Sequence, residues 1–417
     1  GQHPEGAWSM MLTAPQRARA LRAFVGLPGA LVEGALAVAL PWLVTRASLG
    51  TPWLGVLPAL LVAAALVGAL AAPFAAKYFG SRRVVLGGAL LAATGLGIAT
   101  TLLLLGFTAA AFGVALTVIA ADGLADVTFN ARTPFMARLS RVPLQQFTSA
   151  NWLWSVGGVA LGGAMAGVAI SDEMRPTSAI TWLAASMAVL AFLVALALTV
   201  LMPRDSRISH GVAGERPNAP KRDPRNPRIL LLFALIAGLS FLYGPVDNLL
   251  APARLASNGR DASTFGALVA VGAMGLAMGL MLTHAVCTDR YGKTLLLVGL
   301  AGIVAQIALL WWLPRDPALV LGSFVTAAVA APLLPLLQSS ALKAVASIHR
   351  TAMLAAAVTT VSLADLVGTA VFGALAGAMG TGCALGVATV LAVLGFAVAL
   401  PIASKVVSPQ TTSNPSS

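Results

Sequence analysis

"PRDSRISHGVAGERPNAPKRDPRNP", residues Pro203 to Pro227, is a long polar stretch in a chain that is otherwise strongly apolar. Its prolines and charges are too frequent to bury, so it reads as a linker. Working outward from it, apolar runs of about 20 residues, the length that crosses a hydrocarbon core of ~30 Å, repeat on both sides. Six precede it, near 21–45, 53–76, 84–105, 109–135, 147–170 and 177–202. Six follow, near 228–253, 262–286, 293–313, 317–342, 350–378 and 382–403. The fourth, tenth and eleventh are long enough to imply tilt or protrusion.

The bulk composition agrees. The chain is 58% hydrophobic and 10% charged with mean hydropathy +0.89, whereas charged residues make up about a quarter of a soluble domain. A net charge of +12 would suggest nucleic acid in a soluble protein, but its distribution points elsewhere. Of the 26 Lys and Arg, only Arg46, Arg175, Arg254, Arg260 and Arg315 fall on the side opposite the termini, leaving 21 on the terminal side. This is the positive-inside bias. It is expected to place both termini and the linker in the cytoplasm, so that the basicity orients the protein in the lipid bilayer and no nucleic-acid partner is expected.

The opening "GQHPEGAWSMM" is neither basic nor apolar as a signal peptide is; it is expected to precede a start at Met10 or Met11 and stays out of the fold argument. Cys287 and Cys383 are expected at opposite ends of the membrane, too far apart to pair.

Six spans on each side of the linker prompt a search for an internal repeat. "KYFGSRR" follows span 2 and "DRYGKT" follows span 8, aligning Gly80 with Gly292. In spans 5 and 11, Gly158 and Gly162 align with Gly373 and Gly377. Two six-helix halves of one topology suit a transporter whose site lies between the halves. The expected organisation is an N-terminal half at 1–202, the linker at 203–227, a C-terminal half at 228–403 and a cytoplasmic tail at 404–417.

On these motifs the chain resembles the major facilitator superfamily over nearly its whole length. "DRYG" is similar to that family's Asp-Arg-x-Gly loop signature, with Lys77 and Tyr78 standing in the first half where Asp and Arg would be. "GVALGG", Gly158 to Gly163, resembles the antiporter signature of span 5, with Val159 in place of Pro. "VEGALAVALPWLVT" and "FNARTPFMARLSRVPLQQFTSANWL" resemble the macrolide-efflux and enterobactin-exporter branch, with Glu33 where that branch usually has Asp. The resemblance implies an all-α membrane protein of twelve transmembrane helices in two pseudo-symmetric six-helix halves. It further implies an exporter of drugs or siderophores in a bacterial inner membrane, working by alternating access; proton coupling is expected from the absence of a nucleotide-binding segment, and a monomer without a cofactor is expected.

Of the fourteen acidic residues, five lie inside spans: Glu33, Asp122, Asp126, Asp247 and Asp365. An Asp at a helix centre costs roughly 2.5–3.5 kcal/mol on insertion scales, so all five are expected to face a cavity or carry protons. Asp122, Asp126 and Asn130 are spaced i, i+4, i+8 and share one helical stripe. Two carboxylates stacked in a low dielectric cannot both ionise cheaply, so the pair can hold and release a proton or attract a cation; hydrogen bonding to neighbouring helices is the structural alternative. Asp247 and Asn248, after Gly244 and Pro245, sit where a kink exposes backbone. Asp365 follows Thr359, Thr360 and Ser362.

Gly158, Gly162 and Gly163, with Gly157 and Gly167, are read as a smooth packing face that lets the halves rock. Lys77, Gly80, Arg82, Arg83, Asp289, Arg290, Gly292 and Lys293 are read as conformational loops, or as topology signals alone. Trp42, Trp53, Trp152, Trp154 and Trp182 read as interfacial anchors or packing. His284 and Cys287 are weak metal candidates, and no metal site is expected.

No nucleophile–base pair, phosphate loop or His cluster stands out, and no nucleotide-binding segment exists to supply ATP energy. An excess of cavity acids favours cationic or amphiphilic solutes. The competing readings are a lysophospholipid flippase, a divalent metal exporter that needs Glu33, Asp247 or Asp365 to converge with His284, and a non-transporting sensor.

Overall fold

Long apolar runs with no water to solvate their backbone close their hydrogen bonds internally, which in hydrocarbon leaves the helix as the solution for an unpaired segment. The computed structural model describes residues 16, 25–49, 51, 54–132, 136, 144–171, 176–202, 227–285, 288–333, 336–337 and 350–407. Its helices are α1 Leu27–Ser48, α2 Val56–Phe79, α3 Ser81–Leu104, α4 Thr108–Ala131, α5 Leu144–Ile170 and α6 Pro176–Leu201. After the linker come α7 Pro227–Pro245, running through a π-helical turn Val246–Leu250 into Ala251–Ser257, then α8 Ala262–Ala285 and α9 Thr288–Trp312. The last are α10 Asp316–Ala330, α11 Arg350–Met379 and α12 Thr381–Val407.

Among the described residues, eleven of these helices are long and apolar enough to cross a membrane, and α10 is a shorter apolar helix. The chain is an integral, multi-pass membrane protein. Helix α4 ends at Ala131, before the expected protrusion, while α11 runs 30 residues. Except for Pro227, the expected linker lies outside the described residues.

Packing repeats from one half to the other. In the first half α1 packs on α5, α2 on α4, and α3 on both α4 and α6. In the second half α7 packs on α11, α8 on α10, and α9 on both α10 and α12. The halves meet along two seams, α5 on α8 and α11 on α2, which exchange under the same relation. The sequence repeat is corrected by this geometry. Gly158 and Gly162 do not match Gly373 and Gly377, because the first pair packs on α1 while Gly373 meets Gly55 and Gly377 meets nothing within 4 Å. The equivalent of Gly373 is Gly167, which meets Gly266 across the other seam.

Gly80 and Gly292 are also unlike. Gly80 breaks the chain between α2 and α3 at φ 82° and ψ 142°, a backbone region essentially limited to glycine. Gly292 is buried inside α9. The basic stretch around it is therefore helical, and the loop expected there is not formed.

We call the side holding the start of α1 and the end of α12 the near side, and the opposite one the far side. The largest apolar cluster fills the far half of the bundle and crosses both seams, with Val38, Trp42, Leu249, Leu250, Phe265 and Phe372 at most 3% exposed. Trp42 stacks on Phe265 at 6.0 Å between ring centroids. Nearer the opposite side, one cluster around Leu296 lies in the second half and another around Val85 in the first, while two small ones bridge the halves, Ala69 and Val127 with Val358, and Val156 with Leu280. The far side is thus sealed across the halves.

The turn between α7 and α8 is fastened twice. Arg260 forms an ion pair with Asp316 at the start of α10. The Asp261 carboxylate caps α8, accepting from the Thr264 backbone N–H at 3.0 Å and from the Ser263 hydroxyl at 2.8 Å. Partial burial pushes the Asp261 carboxyl up, but these hydrogen bonds outweigh it and hold it below the usual carboxylate range. Asp261→Ala is expected to lower stability by about 1 kcal/mol, the usual worth of an N-cap, read as a drop in Tm in detergent. Because the native value is depressed, the contribution is complete above about pH 4 and is lost as pH falls through that lowered value. Parent and variant should converge only in acid.

Candidate functional site: an acid-lined cavity between the halves

Helices approach closely only where side chains are small, and here the small residues decide which way the acids face. In α1, Gly34 sits against the Val159 backbone of α5, and a Cβ there would stand 2.5 Å from the Val159 Cα. Gly158 and Gly162 of α5 press in return on the backbone at Leu27 and Leu31. With Gly34 committed to α5, the neighbouring Glu33 is turned about 100° around the helix and is exposed into the space between the halves. In α4, Gly68 of α2 abuts Ala120, and Gly88 of α3 abuts Ala121 and Ala125. That face is consumed by packing. Asp122, Asp126 and Asn130 lie on the opposite stripe and line the same space.

The second half supplies the facing wall. Gly244 of α7 has no side chain because the Asp365 carboxylate of α11 occupies that position. The π turn adds a residue to α7 next to it and brings Asn248 round to donate from Nδ2 to Asp365 Oδ2 at 3.1 Å. Thr369 Oγ1 donates to the other carboxylate oxygen at 3.1 Å. In α4 the Asn130 amide donates to Asp126 Oδ1 at 2.8 Å.

The resulting cavity has a volume of about 650 Å³. Glu33, Asp122, Asp126, Asn130, Asn248 and Asp365 all line it, and among the described residues no Lys, Arg or His does. It reaches from Val25 and Gly26 at the near end of α1 to Pro41 deeper along the helix. Glu33 interacts electrostatically with both Asp126 and Asp122. Three carboxylates facing one space without a described cation repel one another when charged, and protons or a cationic solute are two ways to neutralise such a space.

Some candidates from the sequence lie elsewhere. Asp247 does not line this cavity; it accepts a hydrogen bond from Tyr243 one turn earlier, and Gln306 of α9 donates to Tyr243. Lys77 lies in the last turn of α2, exposed, and Arg83 is exposed at the start of α3. Arg82 Nη2 donates to the Thr199 carbonyl of α6 at 2.9 Å, a tie within the first half. Lys293 is exposed on α9. Asp289 and Arg290 lie in the first turn of α9, with side chains outside the described set, as is that of His284; Cys287 lies outside the described residues altogether. Gly163 and Gly167 are the glycines of α5 that touch the second half, at Val269 and Gly266. Of the glycines expected to form one packing face between the halves, Gly158 and Gly162 therefore pack within the first half, and Gly163 and Gly167 meet the second.

Sequence reasoning passed over other residues. Asn151 lines the cavity, and its Oδ1 is buried without a hydrogen-bond partner among the described residues. Trp152 and Trp154, read as anchors or packing, line the cavity. Tyr243 and Gln306 are neutral residues whose only signal was polarity within an apolar run. Arg132, buried at the end of α4, had no assignment. Among the described residues no group of three His, Cys, Asp or Glu is placed to hold a metal ion.

No family model matches the chain, and no curated protein sequence matches it. Solved structures do. The xylose transporter XylE from E. coli, in a partially occluded inward-open conformation, superposes with TM-score 0.68 at 15% identity, covering 92% of this chain and 97% of that one. The E. coli fucose:proton symporter FucP gives TM-score 0.61 at 13% identity over 94% and 98%. The nucleoside transporter NupG gives 0.62 at 16% identity over 92% and 99%. Two six-helix halves, paired seams and near-complete mutual coverage show that the chain has the major facilitator fold.

Proposed function

We propose that the chain is a secondary active transporter that exchanges organic cations for protons by alternating access. The observation that carries this reading is the carboxylate-lined cavity between the halves, with no base among its described lining residues. A cation and protons are alternative ways to neutralise Glu33, Asp122 and Asp126, and competition for one site is the simplest coupling between two fluxes. A proton-linked mechanism is named for FucP, and the fold is shared. The positive-inside bias of the sequence favours a cytoplasmic near side, and a cavity that reaches Val25 and Gly26 at that end of α1 supports loading from the cytoplasm and export. The acid lining favours drug-like cations over siderophores, whose metal-binding groups are anionic. Divalent metal export is disfavoured, since the acids do not converge as ligands. The transporter acts as a monomer, because each chain holds a complete cavity.

Binding of tritiated tetraphenylphosphonium to the purified chain tests this. Saturable binding that tightens as pH rises, with protons leaving the carboxylates, supports the proposal. Absent binding, or binding that weakens as pH rises, contradicts it.

A further inference from the structure

The acids of the cavity do not form one group. Glu33, Asp122 and Asp126 interact with one another on the first-half wall, and Asp126 is steadied by Asn130. Asp365 stands on the second-half wall, where its electrostatic neighbour is Asp247 and its hydrogen bonds come from Asn248 and Thr369. Among the described interactions, none links Asp365 to the carboxylates of the first half. The acids are too dispersed to hold one metal ion, and a single compact charge seated at the first-half group leaves Asp365 without a counter-charge among the described residues. Apolar side chains make up much of the rest of the lining, with Leu36, Leu61, Val62 and Phe129 from the first half and Val358 and Val361 from the second.

Both oxygens of Asp365 accept from neutral donors, and a carboxylate retains further lone pairs for a ligand. Asn151 adds a carbonyl oxygen on the cavity wall with no donor of its own among the described residues. Such an acceptor is satisfied by an N–H group, not by a quaternary nitrogen.

Resting on the cation-exchange reading above, we infer that the preferred solute carries two ammonium centres joined by an apolar spacer, one centre for each wall. A solute with one centre leaves the second wall uncompensated or protonated. Engaging both walls also ties the halves to each other through the ligand, so the same contact that selects the solute favours closure around it.

The test uses a matched pair of displacers, 1,8-diaminooctane and 8-amino-1-octanol, against tetraphenylphosphonium bound to the purified full-length chain. The two have the same length and differ in the charge of one end. The diamine is expected to displace the probe at a concentration about tenfold lower, the equivalent of roughly 1.4 kcal/mol. Asp365→Asn should erase that gap, so that the diamine and the amino alcohol displace the probe at the same concentration. Asp126→Asn, on the other wall, should erase the gap as well and weaken both compounds. Equal displacement by the two compounds in the parent, or a gap that survives Asp365→Asn in a chain with unchanged Tm, overturns the inference and leaves single-cation exchange standing. Failure of the chain to bind tetraphenylphosphonium at any pH overturns the cation reading, and this inference with it.

Discussion

A chain carrying Gly167→Leu and Gly373→Leu is expected to keep its helices and lose transport, because it can no longer close its far side. Gly167 meets Gly266 where α5 crosses α8, and Gly373 meets Gly55 where α11 meets the start of α2. A Cβ at Gly167 would stand 2.8 Å from the Gly266 Cα, and one at Gly373 would collide with Gly55. Both obstacles are backbone, which cannot rotate away. Overpacking of this kind costs about 1–3 kcal/mol per site, and only in the far-closed state. Two sites together shift the equilibrium toward the far-open state by roughly 30-fold or more.

The seal also carries costs of its own. Trp42 Nε1 and Thr45 Oγ1 are buried at this end without hydrogen-bond partners among the described residues, and an unsatisfied buried polar group costs about 1–3 kcal/mol. The check is labelling of Leu249→Cys by a water-soluble maleimide, in a background with Cys287 and Cys383 replaced by serine. Leu249 is 0% exposed, so labelling should be slow in the parent and at least about tenfold faster with both leucines present. Unchanged labelling together with full transport would show that these contacts do not govern closure.

Neutralising the acids of the first-half wall should produce the second large effect. Glu33→Gln and Asp126→Asn are each expected to reduce cation-driven proton movement by about 100-fold or more, a loss of roughly 2.7 kcal/mol in effective coupling. The same variants should be as stable as the parent or more so, since each removes a like-charge neighbour from an enclosed cluster. Lost function with a retained or raised Tm is the pattern of residues kept for activity at the expense of stability. A variant that loses both is uninformative about coupling, and for that reason Tm in detergent belongs beside every flux measurement. Asp247→Asn, outside the cavity, should leave cation binding within about threefold of the parent.

Much of the architecture is legible in the sequence, because crossing a bilayer imposes a length and a polarity that composition displays directly. The positions of α1 to α12 follow from apolar runs alone, and Glu33, Asp122, Asp126 and Asp365 stand out as charges inside them. What the sequence does not carry is the partner of each small residue. Gly158, Gly162 and Gly167 recur at intervals of four and five residues along one helix, yet the first two face α1 and the third faces Gly266. A glycine stripe says that something comes close and not what. The same limit explains Gly80 and Gly292, alike in sequence context but one at positive φ in a turn and the other within a helix. The π turn at Val246–Leu250 separates Asp247 from Asn248, sending one to Tyr243 and the other to Asp365. Adjacent polar residues in an apolar run gave no sign of that division. Asn151, Trp152 and Trp154 reach the cavity because α5 is held against α1, a tertiary fact invisible in their local sequence.

The most direct test of cation–proton exchange is proton movement in proteoliposomes holding the purified chain and an internal pH-sensitive dye, with no imposed pH gradient. Addition of tetraphenylphosphonium outside should drive protons out of the lumen as the cation enters, at a rate that saturates with cation concentration and is lost in Asp126→Asn. Entry of the cation through the purified chain at the same rate with no change in luminal pH, or proton movement undiminished in Asp126→Asn, would contradict the account.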